Sequence, residues 1–444
     1  MRDSFLGPSF WNDTALGLLP SNCRGSMSIA SGHPTKSSTV PLPGTKPDSG
    51  SGYGAAMAAA STVFFMWGFV TVLNDILAPH LKAIFALNYA ETMLIQFTFF
   101  SAYLLISWPA AKIISAVGYH RTIVLGLAVM GVGALLFVPA ASIRSYALFL
   151  AGLYILASGI TLLQVSANPY VAALGPPEKA SSRLNLVQAL NSLGTTVGPW
   201  IGGFLILSGG RNDASTVKVP YVGIAVLLAL LAIVIARFPF PTITQIEDPS
   251  HHTEVIGDSV WRHRHLVLGA VGIFVYVGAE VAIGSFLVNY FMQPDIRGFT
   301  AQTAARYVSL YWGGAMVGRF VGAALLRKVR TGPAVGVAAS VAGLLVIGSI
   351  LTNGALAMWS ILAVGLFNSI LFPSIFTLGI AGLGKLTGKA SGVLIAAIVG
   401  GAIIPLAEGA LADRIGLHLA FILPVLCYLY IVFYGFIGSR ARFE

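Results

Sequence analysis

Runs of roughly twenty apolar residues, the length an α-helix needs to cross the ~30 Å hydrocarbon core of a bilayer, recur about twelve times between Ala58 and Gly438. In lipid every backbone N–H and C=O must find a partner inside the protein, and long uninterrupted apolar runs meet that demand only as helices. A soluble alternative would need far more charge than this chain carries. Only 9% of its 444 residues are charged, 56% are hydrophobic and the mean hydropathy is +0.82, against about 25% charged residues in soluble domains. The expected fold is an all-α membrane protein with about 12 transmembrane helices.

The first 56 residues read differently. GHPTKSSTVPLPGTKPDSGSG is rich in Ser, Gly, Pro and Thr and has neither the basic n-region nor the apolar h-region of a signal peptide. Residues 1–56 are expected to be a disordered cytoplasmic tail, or sequence upstream of a start at Met27 or Met57. Cys23 and Cys427 lie at opposite ends of the chain with no ligand spacing, so neither a disulfide nor a metal site is expected. With an inside N-terminus, the cytoplasmic loops collect about twice as many Lys and Arg as the outer ones, including Lys112, Arg121, Lys179, Arg183, Arg327, Lys328 and Lys389. The positive-inside rule then puts both termini in the cytoplasm. The +10 net charge is scattered over short loops, which argues against nucleic-acid binding.

The longest later polar stretch, RFPFPTITQIEDPSHHTEVIGDSVWRHRH, follows about six spans and precedes about six more. It divides the chain into an N-terminal bundle (57–238), a cytoplasmic linker (239–265) and a C-terminal bundle (266–444). His251, His252, His263 and His265 have no carboxylate or cysteine pattern beside them and are read as solvated linker. A repeat supports the division: Pro169-Tyr-Val-Ala-Ala-Leu-Gly175 is matched by Pro373-Ser-Ile-Phe-Thr-Leu-Gly379, and Arg183, Gly194 and Pro199 recur at identical spacing as Lys389, Gly400 and Pro405. Such duplication points to two six-helix bundles around a central pathway.

A charge at the bilayer centre costs about 2.5–3.5 kcal/mol on insertion scales, so polar residues inside spans are expected to face water, a ligand or a partner. Asp75, beside Asn74 in FVTVLNDILAPH, is one such residue, and Glu280 in FVYVGAEVAIGSFLVNYF is another. Glu408 and Asp413 in AEGALADRIG, and Glu91, are read as interfacial. Arg319 is read as snorkelling toward the cytoplasmic end of its helix, with pairing to an intramembrane acid as the alternative. Amides form the larger set: Gln96, Gln164, Asn168, Asn185, Gln188, Asn191, Asn289 and Asn368. Asn185, Gln188 and Asn191 step by three and so share a helix face. An amide both donates and accepts, which suits a neutral polyhydroxylated ligand, although hydrogen bonding between helices is the alternative for each amide alone.

FFMWGFVTVLNDILAPHLK, QFTFFSAYLLISWPAA, ASGITLLQVSANPYVAALGP, SSRLNLVQALNSLGTT and YVGAEVAIGSFLVNYF together resemble the fucose–galactose–glucose symporter family of the major facilitator superfamily, closest to its bacterial glucose/galactose branch. The resemblance runs from about Phe64 to the C-terminus. It implies the major facilitator fold, a bacterial inner-membrane location, and ion-driven import of a hexose such as glucose or galactose by alternating access. By position, it implies that Asp75 serves sugar recognition and proton coupling and that Gln188 and Asn191 hydrogen-bond the sugar. Gln164 stands where the fucose transporter has a glutamate; a glutamine binds hydroxyls but carries no proton, which makes fucose a less suitable substrate. The loop PAAKIISAVGYHR lacks the aspartate common elsewhere in the superfamily.

The resulting expectation is a substrate site of Asp75, Asn74, Gln164, Asn168, Gln188 and Asn191, with ion coupling at Asp75 assisted by Glu280. The coupling ion is H⁺ or Na⁺, with no other cofactor. The expected partners are a small sugar and the bilayer, with no obligatory protein partner. Importers of N-acetylglucosamine, fructose, mannose or fucose, and an uncoupled uniporter, are the alternatives. An enzyme is not expected, because no catalytic constellation appears and His418, the one histidine in a span-like context, has no evident partner.

Overall fold

The computed structural model describes residues 51–85, 89–207, 217–241 and 259–440, excepting the side chains of 51–52, 73–80, 82–84, 89–93, 199–200 and 202–207. Among these residues every regular element is a helix. In the first half they are α1 (Ser51–Phe85), α2 (Tyr89–Ser142), α3 (Tyr146–Ala173), α4 (Ala180–Leu207) and α5 (Lys218–Arg237). The second half holds α6 (Arg264–Met292), α7 (Ala301–Leu325), α8 (Thr331–Leu351), α9 (Gly354–Asn368), α10 (Leu371–Gly379), α11 (Thr387–Ala396), α12 (Gly400–Ile415), α13 (Leu417–Ala420) and α14 (Ile422–Phe433). The start of α1 at Ser51 lies inside the segment read from sequence as a tail.

Nine stretches among the described residues are long and apolar enough to cross a bilayer. The longest, Leu94–Ser142, is two crossings, because Gly118 adopts φ 82° and ψ 171° within α2. Glycine takes positive φ without the Cβ clash that penalises other residues. The 28-residue α4 and the 25-residue α7 also have membrane length but are too polar to count by hydropathy. With them the described chain makes twelve crossings, six in each half. In the second half α9–α10, α11–α12 and α13–α14 each form one broken crossing.

Large apolar side chains such as Val219, Val226, Leu230 and Val234 on α5 lie 52–79% exposed. On a soluble protein such a belt would drive aggregation; here it meets lipid tails. Within the halves, α1 packs on α4 and α2 on α3 and α5, while α6 packs on α12, α10 and α14 and α8 on α9 and α14. The halves meet along two seams, α4 against α7 and α2 against α11 and α12.

The sequence repeat has a packing counterpart. A Cβ at Gly194 would fall 2.3 Å from the Phe65 carbonyl oxygen on α1, and one at Gly400 would fall 2.0 Å from the Phe274 carbonyl oxygen on α6. Each half thus uses the same glycine to bring its fifth crossing against the backbone of its first.

Between α3 and α4, Arg183 donates to the carbonyls of Pro176 (2.9 Å), Val171 (3.2 Å), Gly175 (3.3 Å) and Ala172. Val171 and Ala172 belong to the last turn of α3, where carbonyls run short of helical donors, and Gly175 and Pro176 to the loop that follows, so one guanidinium ties the helix end to the short basic loop.

Candidate functional site

The two membrane-length helices too polar to count by hydropathy, α4 and α7, pack on each other. On α4, Ser181, Ser182, Asn185, Gln188, Asn191 and Ser192 are all no more than 8% exposed. Their burial keeps polar groups away from lipid, where each would be costly. Across the seam, Ser181 and Thr377 hydroxyls lie 2.5 Å apart, Thr331 Oγ1 donates to Ser181 Oγ at 3.1 Å and Ser182 Oγ donates to the Ala323 carbonyl.

Asn74 and Asp75 fall outside the described residues. The other expected sugar-facing residues are all buried, but their polar atoms differ in use. Gln164 donates from Nε2 to the Tyr103 hydroxyl at 2.9 Å. One turn later on α3, Asn168 is 0% exposed and neither Nδ2 nor Oδ1 has a partner in the described structure. On α4, Gln188 Nε2 is buried without a partner, whereas Asn191 Nδ2 donates to the Phe64 carbonyl of α1 at 2.9 Å. Asn185 Nδ2 donates to the Ser181 carbonyl at 2.8 Å, leaving its buried Oδ1 unpaired. Since buried polar groups are nearly always hydrogen-bonded, Asn168 and Gln188 retain the largest unused capacity of the set. Gln96 and Asn289 lie on exposed faces, apart from this group.

Tyr103, which sequence reasoning missed, links Gln164 to an aromatic cluster with Phe99 and Phe100, at centroid distances of 5.6 and 6.2 Å. Phe100 and Val277 of α6 both close on Gly401 of α12: a Cβ there would meet Phe100 Cε1 at 2.7 Å and Val277 Cγ1 at 3.1 Å. Phe100 of the first half and Val277, three residues before Glu280, thus approach the same glycine of α12. One carboxylate oxygen of Glu280 is buried without a partner, and Tyr276 and Arg319 lie within its electrostatic reach.

Asn368, grouped from sequence with the other amides, organises the interior of the second half. Tyr428 donates to its Oδ1 at 2.7 Å, its Nδ2 donates to the Tyr311 hydroxyl at 2.9 Å, and Tyr276 donates to its carbonyl at 3.0 Å.

Four sequence expectations need correction. His265 is not solvated linker: it lies in the first turn of α6, 5% exposed, with Nε2 3.0 Å from the Ala381 carbonyl. Arg319 does not snorkel to the membrane edge: it donates to Ser192 of α4 and, through Nε at 3.4 Å, to the Ser369 carbonyl. Glu408 is not interfacial but 0% exposed, because α12 continues two turns beyond it and turns its carboxyl inward; Asp413 is exposed as expected. His418 does have partners, its Nε2 lying 2.9 Å from the Ser349 carbonyl and its Nδ1 3.7 Å from Asp295.

The repeated prolines explain two of the contacts at the seams. Pro169 has no N–H to give the carbonyl four residues earlier, that of Val165, and the Ser391 hydroxyl of α11 donates to it at 2.8 Å from the other half. Pro373 likewise frees the Ser369 carbonyl, which takes the Arg319 bond. The same proline in each half thus frees an acceptor: the first is taken by Ser391 of the other half, the second by Arg319 of its own half, which also donates to Ser192 of α4.

A family model for the Major Facilitator Superfamily matches residues 56–405. The chain belongs to the major facilitator superfamily. This transporter is 53% identical over 402 residues to the glucose/galactose transporter of Brucella abortus biovar 1 (strain 9-941), covering 89% of its own length and 97% of that protein. It is 31% identical over 413 residues to the L-fucose-proton symporter of Escherichia coli (strain K12), covering 87% and 92%. The crystal structure of FucP in the outward conformation superposes with a TM-score of 0.80 at 31% identity, over 88% of this chain and 100% of that one. The transporter is thus a multi-pass membrane protein and not an enzyme.

Proposed function

We propose that this transporter is an ion-coupled symporter that imports a neutral hexose such as glucose or galactose across the bacterial inner membrane. The observation that carries this reading is the set of two buried amides with unused hydrogen-bonding capacity, Asn168, one turn along α3 from the Gln164–Tyr103 pair, and Gln188, on the α4 helix that forms a seam with α7. Amides present donors and acceptors together, as sugar hydroxyls require, and no fixed charge is needed to hold such a ligand. The relatives named as glucose/galactose transporters and fucose-proton symporters support the same substrate class.

In this reading both termini are cytoplasmic, and the hydrogen-bonded end of the seams, at Ser181, Ser182, Thr331, Thr377 and Ser391, is the cytoplasmic gate in its closed form. Asp75 takes the coupling ion, H⁺ or Na⁺, assisted by Glu280. Sugar hydrogen-bonds to Gln164, Asn168, Gln188 and Asn191, with Asn74 beside the ion. An ionised Asp75 disfavours a closed, drier cavity, so neutralising it permits the halves to rock and ties sugar movement to the ion. Asp75→Asn is expected to keep sugar exchange in proteoliposomes and to lose gradient-driven accumulation. Normal accumulation by this variant would remove Asp75 from the coupling role.

A further inference from the structure

Glu408 is used by nothing described above. It sits on α12 one turn beyond Pro405, it is 0% exposed, and neither carboxylate oxygen has a hydrogen-bond partner in the described structure. Residues of three other helices lie in its surroundings. Tyr311 of α7 and Tyr428 of α14 lie within electrostatic reach of both Glu408 and Glu280, and Cys427 of α14 within reach of Glu408. From α6, Phe286 packs against the adjoining Gly409. The remaining neighbours bring no counter-charge. His418 of α13 is turned to Ser349 and Asp295, α2 meets α12 with Phe100 at Gly401, and Arg319 is engaged with Ser192 and Ser369.

An ionised carboxylate in such a place has lost its water and gained no donor, one of the most unfavourable arrangements a protein can hold. The phenols do not relieve it, since Tyr428 donates to Asn368 and Tyr311 to the Glu280 carbonyl, the latter at 3.5 Å. A metal cation would need several converging oxygen ligands, and the described residues contain no cluster of three His, Cys, Asp or Glu placed to bind one.

We propose that Glu408 is a proton-binding site within the second half, that it is protonated in this conformation, and that it releases its proton to water when the transport cycle hydrates the Tyr311–Asn368–Tyr428 network. In the released state the phenol of Tyr428 or Tyr311 swings from its present acceptor to the new carboxylate, and Glu280 on the far side of the network feels the change. Only the O–H bond of Glu408 breaks, and its proton passes to solvent. The release step rests on the transport reading above; the protonated state does not.

The test is infrared difference spectroscopy of the full chain in liposomes, with accumulation and exchange of glucose measured on the same preparations. A protonated-carboxyl C=O band is expected at neutral pH, to disappear in Glu408→Gln, to persist in Glu280→Gln and to respond to added glucose in the wild type. Glu408→Gln should exchange glucose at the wild-type rate while losing at least about fivefold in accumulation under whichever gradient drives the wild type, the lower end of ordinary coupling between sites. A band unchanged in Glu408→Gln, or unchanged accumulation, overturns the proposal. If that variant does not fold, wild-type protein grown with carboxyl-labelled glutamate decides instead: no glutamate-derived band in the protonated region overturns it. Failure of the wild type to accumulate sugar under any gradient would sink the symport reading and leave the infrared result standing.

Discussion

Ser391→Ala is expected to release the gate at the basic-loop end. The Ser391 hydroxyl donates at 2.8 Å to the Val165 carbonyl, and both residues are 0% exposed. Because Pro169 supplies no N–H, that carbonyl has no helical partner to fall back on. A buried acceptor left unpaired costs about 1–3 kcal/mol, and here the cost applies only while the halves are closed at this end, since opening would hydrate the carbonyl. The ratio of closed to open molecules should therefore fall roughly 5–150-fold, the span that 1–3 kcal/mol of coupling represents. Spin labels at the exposed positions Glu178 and Ala381, one in each half, would report this by pulsed electron resonance as a gain in the long-distance population. Ser391→Thr keeps the hydroxyl and should resemble the parent. Identical distance distributions for Ser391→Ala and the parent would refute the role given to the proline-freed carbonyl.

Other substitutions test the packing and the amide site. Gly400→Val would force a side chain against the Phe274 carbonyl, 2.0 Å from the Cβ position, and should destabilise the detergent-solubilised protein by about 1–3 kcal/mol or more. Gly223→Ala, with nothing within 4 Å, should leave thermal unfolding unchanged or slightly improved. Asn168→Leu and Gln188→Leu are each expected to weaken glucose binding roughly 5–150-fold, the equivalent of a lost 1–3 kcal/mol hydrogen bond, with helix content intact. Calorimetry giving the parent affinity would move the sugar elsewhere.

How much of this was legible in the sequence depended on whether a residue's role is local. Twenty-residue apolar runs announce helices because backbone pairing in lipid is a local requirement, and the duplicated prolines and glycines marked the two halves. The crossings α4 and α7 are less obvious to hydropathy, because their polar residues are hidden in the seam between the halves. Glu408 was misread for a related reason: Gly416 nearby suggests a helix end, but which way the carboxyl points is decided by the packing of α12 on α6. Arg319 and His418 found partners that lie 127 and 69 residues away in sequence, beyond any local pattern. Tyr103 stood in plain view in FFSAYLLISWP, a phenol among apolar neighbours that needed an acceptor or donor, and that need was the signal to follow. The stripe of Asn185, Gln188 and Asn191 proved buried as a set, yet the structure divides it: Asn191 ties α4 to α1 while Gln188 leaves its amide nitrogen unpaired.

The most direct test of the central claim is uptake of radiolabelled glucose into proteoliposomes holding only this transporter, with a Na⁺ gradient and a pH gradient imposed separately. Unlabelled galactose, mannose, fucose and N-acetylglucosamine would serve as competitors. Symport predicts accumulation above the external concentration under one of the two gradients, abolished by collapsing it and competed by galactose. Equilibration without accumulation under both would contradict it and leave an uncoupled carrier.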